Sequence, residues 1–197
     1  MHRYLIRIEN SKNLKPEQSL VVLIELRRKA EEFGTVIKNL RVTDLAFEFD
    51  LYSNDEGSKR KTIDDLTGEY GKFLNERDLA EDGLNPSQYQ SKADTVKLAL
   101  DLFNQQRYWE CHETLEQIWR RQEKGTEKDV QQGIILAASA LVHYQKNEDS
   151  VCLGMIPRAM EKLSGWSEEF YYSFNVEKLK GTLEEMQRSR TIWNPRI

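Results

Sequence analysis

The residues best suited to chemistry fall in one stretch, YWECHETLEQIW, which holds His112 and Glu116 four apart and Trp119 three further on. At about 100° per residue, a helix carries Glu116, Trp119, Tyr108 and Leu115 within about 60° of His112, on one shared face. Glu113 and Glu110 turn progressively away, so of the three carboxylates only Glu116 is expected to point inward. HETLE shares the first half of the HExxH pattern in which two histidines hold zinc and the intervening glutamate is the base. Here Glu116 stands where the second histidine would be, and a protease does not follow.

The companions of that face should come from the next helix, whose apolar run is interrupted by Gln132, Ser139 and His143 at spacings of seven and four. If the two helices form an antiparallel hairpin turning near Gly125, Gln132 falls near Trp119 and Ser139 near His112. His143 lies roughly 7 Å beyond the level of His112, and Gln132 and His143 are roughly 16 Å apart, too far to share an ion. Two readings of this groove stand. In one, His112, Glu116 and His143 hold a divalent metal such as zinc, and a bound water does Lewis-acid or hydroxide chemistry. In the other, His112 pairs with Glu116 and Trp119 with Gln132 in a buried hydrogen-bond network. The network comes first because buried polar groups usually pair with one another. Cys111 adjoins His112 in sequence but lies about 100° away on the helix, which argues against a Cys/His nucleophile pair. No glycine-rich phosphate loop and no Ser/His/Asp motif is present.

Positioning such a face requires a bundle, and the carboxyl-terminal pattern is helical throughout. Ser91 with Asp94 caps a first helix through Leu98, Leu102 and Phe103. Helices follow over about 108–122 and 127–146, a fourth runs from near Cys152 to about Leu163 with Pro157 in its first two turns, and SEEF and VEKLKGTLEEMQR suggest a fifth. The amino-terminal part reads differently. RYLIRIE alternates as a strand, and a helix opens at Pro16 and closes at Gly34. VIKNLRV and LAFEFDLY form two strands about a turn at Thr43 and Asp44, and a helix spans about 59–79. In LAFEFDLY, Ala46, Glu48 and Asp50 share one face and Phe47, Phe49 and Leu51 the other. The expected class is therefore α+β (strand, helix, strand, strand, helix) followed by an all-α bundle. The expected bounds are 1–82 for the first domain, 83–92 for a polar linker and 93–197 for the second. A three-stranded sheet covered on one face leaves edges, and pairing with a second subunit through that sheet would cover one.

Composition narrows the class of function. With 29 basic and 33 acidic residues the net charge is −4, and no half carries the basic excess of a nucleic-acid binder. The SKRK run at 58–61 is flanked by acidic residues and reads as a solvated helix start. MHRYLIRIENSK lacks an apolar core of signal-peptide length, and IILAASALV falls short of the ~20 residues a membrane span needs, so a cytoplasmic, non-spanning protein is expected. Its two cysteines, Cys111 and Cys152, make no disulfide framework or zinc knuckle and read as small apolar residues.

FNQQRYWECHETLEQIWR, then QQGIILAASALVHYQKNED and IPRAMEKL, resemble the domain of unknown function DUF309, a family of bacteria and archaea. The resemblance covers about residues 93–165 and rests on H-x-x-x-E-x-x-W, met by His112, Glu116 and Trp119, with Gln132-Gly133 opening an apolar helix and His143 before a polar turn. It implies an all-helical bundle with a motif suspected of metal binding, and supplies no reaction. The functional expectation is a binding or scaffold module built around the polar groove of His112, Glu116, Trp119, Gln132, Ser139 and His143. Its rival is a metal-dependent enzyme of hydrolytic type using His112 and Glu116.

Overall fold

The computed structural model describes residues 1–79 and 91–197, which form two compact units, the first α+β and the second mainly helical. The linker expected over 83–92 lies outside the described residues except for Ser91 and Lys92.

In the first unit the alternating strands β1 (His2–Glu9), β2 (Val36–Val42) and β3 (Ala46–Ser53) join β4 (Phe73–Asp78) in an antiparallel sheet of order β2-β3-β1-β4. Period-two side chains send Ile6, Ile8, Phe47, Phe49 and Leu51 into one core, where α1 (Ser19–Glu32) contributes Val22, Leu26 and Ala30, and α2 (Glu56–Tyr70) contributes Ile63, Leu66 and Tyr70. Pro16 opens a single 3-10 turn, Pro16–Gln18, ahead of α1. Asp55 caps α2 by accepting from the Ser58 amide at 2.8 Å.

Two expectations for this unit are corrected. The helix over 59–79 ends at Tyr70, because Gly71 takes φ 151° with the Glu9 carbonyl oxygen only 2.3 Å from where a Cβ would sit. The chain then adds β4 as an edge strand. FLNERD escapes recognition as a strand because none of its residues is buried, Phe73 and Leu74 included, so no apolar alternation marks it. The second correction concerns Lys59 of the SKRK run, which is not solvated. It is 4% exposed, with its ammonium 2.8 Å from both Glu56 and Glu76 and 4.3 Å above the Tyr4 ring.

The sheet face opposite the helices is also buried and is charged. Glu48 accepts from Arg41 Nε at 2.6 Å, and Asp50 Oδ2 accepts from Arg3 at 2.8 Å and from Asn39 at 2.6 Å. Arg7, facing Glu48 in the β1–β3 register, lies 3.9 Å from it.

The second unit comprises α3 (Lys92–Asn104), α4 (Tyr108–Trp119), α5 (Thr126–Gln145), α6 (Asp149–Leu163), a short hairpin β5 (Phe170–Tyr171) and β6 (Phe174–Asn175), and α7 (Val176–Ser189). Ser91 caps α3, accepting from the Asp94 amide at 3.1 Å. The α3–α4 turn holds Gln106 at φ 61°, a left-handed conformation that costs a residue with a side chain about 1 kcal/mol. α6 begins at Asp149, earlier than expected, so Pro157 falls beyond its first two turns. The hairpin replaces the helical start expected at SEEF. Gly133 lets α5 and α6 approach closely: a Cβ there would stand 2.6 Å from Leu163 and 3.2 Å from the Ala159 carbonyl. The amphipathic α7 buries Val176, Leu179, Leu183 and Met186 at helical spacing against this core. Among the described residues no helix is long and apolar enough to cross a membrane.

Candidate functional site

The face of α4 that enters the core is offset from the one the spacing suggests. Tyr108, Cys111 and Leu115 are fully buried, whereas His112, Glu116 and Trp119 are half-buried along its rim. Glu110 is 5% exposed and forms a two-bond pair with Arg107, at 2.6 Å to each oxygen, so the expectation that only Glu116 faces inward is corrected. The guanidinium makes burial of that carboxylate tolerable. Cys111 lies deep in the core, and burial pushes its thiol far above the ordinary range; Cys152 is pushed up to about 12, by burial first and the Asp149 charge second. Neither is a ready nucleophile.

At the rim, His112 Nε2 lies 3.8 Å from Glu116 Oε1, and the imidazole stacks on Trp109 with ring centroids 5.6 Å apart. Glu116 is shared, its other oxygen accepting from Arg120 at 2.7 Å. Burial lowers the His112 pKa below its ordinary 6.5 and outweighs the opposing charges of Glu116 and Glu113, so the ring is neutral at pH 7. Its Nδ1 is buried with no hydrogen-bond partner among the described residues, and so is Trp119 Nε1. Lys128, in the first turn of α5, reaches over the Trp119 ring at 5.0 Å while donating to the Gln122 carbonyl at 2.8 Å.

Lys128 also lines a cleft of about 310 Å³ with Lys124, Gly125, Asp129, Gln132 and Lys162. Lys162 is held by Asp129 at 2.8 Å, which raises its pKa. Trp119 and Gln132 thus share a neighbour in Lys128, and no direct bond joins them. Ser139 is half-buried on α5 without a hydrogen bond or ion pair among the described residues. His143, near the end of α5, pairs through Nδ1 with Glu148. No group of three histidine, cysteine, aspartate or glutamate side chains able to hold a metal occurs among the described residues, so the expected set of His112, Glu116 and His143 is not assembled. The two donors that do meet, His112 and Glu116, leave a carboxylate already neutralised by Arg120.

The polar network inside the helical unit is built from residues the spacing did not single out. Gln131, fully buried, donates to Tyr171 Oη at 2.6 Å; Tyr171 donates to Glu127 at 3.1 Å; and Glu127 accepts from Lys92 at 2.7 Å and Gln122 at 3.0 Å. Gln131 sits four before the core residue Ile135 and seven before Ala138, a signal that the Gln132 stripe obscures.

Residues 96–155, from within α3 into α6, match the family model described as domain of unknown function DUF309. The match supports the resemblance read from the sequence over that stretch, and the amino-terminal unit and residues 156–197 lie outside it. No curated protein and no solved structure matches the chain.

Proposed function

We propose that the DUF309 stretch is a binding module whose groove runs along the rim of α4, from His112 on Trp109, past Glu116, to Trp119 under Lys128 and into the lysine-lined cleft. One observation carries this reading: Trp119 Nε1 and His112 Nδ1 are shielded from water yet unpaired among the described residues. An unmade bond at a buried donor costs about 1–3 kcal/mol, a penalty a bound partner relieves. The indole N–H only donates, so the occupant must present an acceptor. Lys124, Lys128 and Lys162 around the adjoining cleft favour a negatively charged one, a carboxylate or a phosphate.

The test is a titration of the full chain with inorganic phosphate and, separately, acetate, read on the indole ¹⁵N–¹H resonance of Trp119. The expected result is a saturable shift that Lys128→Ala abolishes. No shift at about 10 mM, where a ligand of millimolar Kd is near saturation, counts against the reading.

The metal-dependent alternative keeps one supporting observation, the 3.8 Å approach of His112 to Glu116. Elemental analysis of the purified protein beside His112→Ala decides it. Stoichiometric zinc lost on substitution establishes a metal site, and metal-free protein in both preparations removes it.

A further inference from the structure

We propose that α1 is a self-association surface, on which two copies of this chain pack their α1 helices antiparallel about a twofold axis between Val22 and Leu23. The observation is an apolar patch on the wrong side of the helix. Leu20, Val21 and Ile24 are 65%, 70% and 59% exposed, while Val22, Leu26 and Ala30 already fill the core from the opposite face. With Ile24 as the centre, Leu20, Val21, Arg27, Arg28 and Glu31 all lie within about 60° of it on a helical wheel, and Glu17, in the 3-10 turn that leads into α1, precedes Leu20 by three residues. One stripe of three large aliphatics is thus bracketed by an acid at its amino-terminal end and a base at its carboxyl-terminal end.

That charge order selects the occupant. A twofold axis at right angles to the helix brings residues at mirrored levels, and on the same side of the stripe, face to face. With the axis between Val22 and Leu23, Val21 meets Ile24 of the second copy, Leu20 packs beside it, and Glu17 meets Arg28 of the second copy, twice by symmetry. Shifting the axis to Ile24 sets Glu17 against Glu31 and Leu20 against Arg28, which the charges disfavour. Arg28 is free to turn outward because its bond to Glu32 is a fully solvated i,i+4 pair, 67% and 57% exposed. The sheet edges offer no comparable match: β2 is irregular between Lys38 and Arg41, and β4 shifts register between Arg7 and Ile8 of its neighbour. A single helix pair buries less than the roughly 1,000 Å² of a stable interface, so the dimer dissociates on dilution. The surface is independent of the α4 groove.

Sedimentation of the full chain over a concentration series tests this. The wild type should show a reversible monomer–dimer equilibrium, and the double variant Val21→Glu, Ile24→Glu should be monomeric with an unchanged melting temperature, since both side chains are exposed. Glu17→Arg and Arg28→Glu should each weaken association about tenfold or more, and the two together should restore it, because the exchange rebuilds both ion pairs. The proposal is overturned by a wild type that stays monomeric up to about 1 mM, where even a contact of about 4 kcal/mol would register. It is equally overturned by a dimer indifferent to Val21→Glu, Ile24→Glu, which would place the contact on a sheet edge, or by charge reversals that the double exchange fails to rescue. A fall in melting temperature without a change in mass also overturns it, since α1 would then be covered by its own chain.

Discussion

The charged face of the sheet and the rim of α4 both bury polar side chains and treat them differently. On the charged face of the sheet, Glu48 and Asp50 gather Arg3, Arg7, Arg41 and Asn39 across neighbouring strands, and each carboxylate has a guanidinium within 4 Å, although Arg3 Nε and Asp50 Oδ1 make no hydrogen bond among the described residues. Along α4, His112 and Trp119 each hold a buried nitrogen with no hydrogen-bond partner among the described residues, although Glu116, Arg120 and Lys128 stand nearby. Burial of a polar group is therefore a poor guide to function, and the presence or absence of its partners is a better one. A paired group is explained by the fold it supports. An unpaired one remains a cost that the fold alone does not explain.

Substitutions can break that contrast. Asp50→Ala should be the most damaging, lowering stability by about 3 kcal/mol in chemical denaturation, because it removes a carboxylate that faces the buried Arg41 guanidinium at 3.6 Å and that also bonds the half-exposed Arg3 and the exposed Asn39. A loss under 1 kcal/mol would show that the sheet network is no better satisfied than the groove. Gly133→Ala lies between the two regimes. The Leu163 side chain can shift but the Ala159 carbonyl cannot, so about 1–3 kcal/mol should be lost as α5 and α6 separate. Trp119→Phe removes a buried donor that makes no bond and keeps most of the apolar area, so it should be neutral or stabilise by up to about 1 kcal/mol. Marked destabilisation would reveal a partner for the indole and end the distinction.

The smallest effect is that of pH. Because burial depresses the folded-state pKa of His112, the native state resists the proton that the unfolded chain accepts. The stability this histidine contributes is whole above its ordinary value of 6.5 and is lost as pH falls below that, through the lower folded-state value. Thermal melts of wild type and His112→Gln across that window should converge at low pH. Parallel curves would show that His112 is not the group responsible.

Much of this was readable beforehand, for local reasons. Ser91 and Pro16 mark helix starts through chemistry contained in a few residues, and the period of the apolar residues distinguishes strands from helices. Failures occurred where a segment's fate depends on distant neighbours. β4 is a strand because it pairs with β1, and its own residues do not declare it. Gln131, not Gln132, became the buried glutamine because Tyr171, forty residues on, supplies its partner. Glu110 is buried because Arg107 follows it inward.

The sequence by itself determined the order and kind of most elements, the DUF309 stretch, and the one helix on which His112, Glu116 and Trp119 must lie, since helical periodicity and capping act within a turn or two. Only the tertiary structure decided which way that helix is rolled. Core packing takes Tyr108, Cys111 and Leu115, the largest continuous apolar stripe available. It leaves the histidine, glutamate and tryptophan at the rim, where burial strips water from one nitrogen of the histidine and one of the tryptophan and none of the described residues bonds to either.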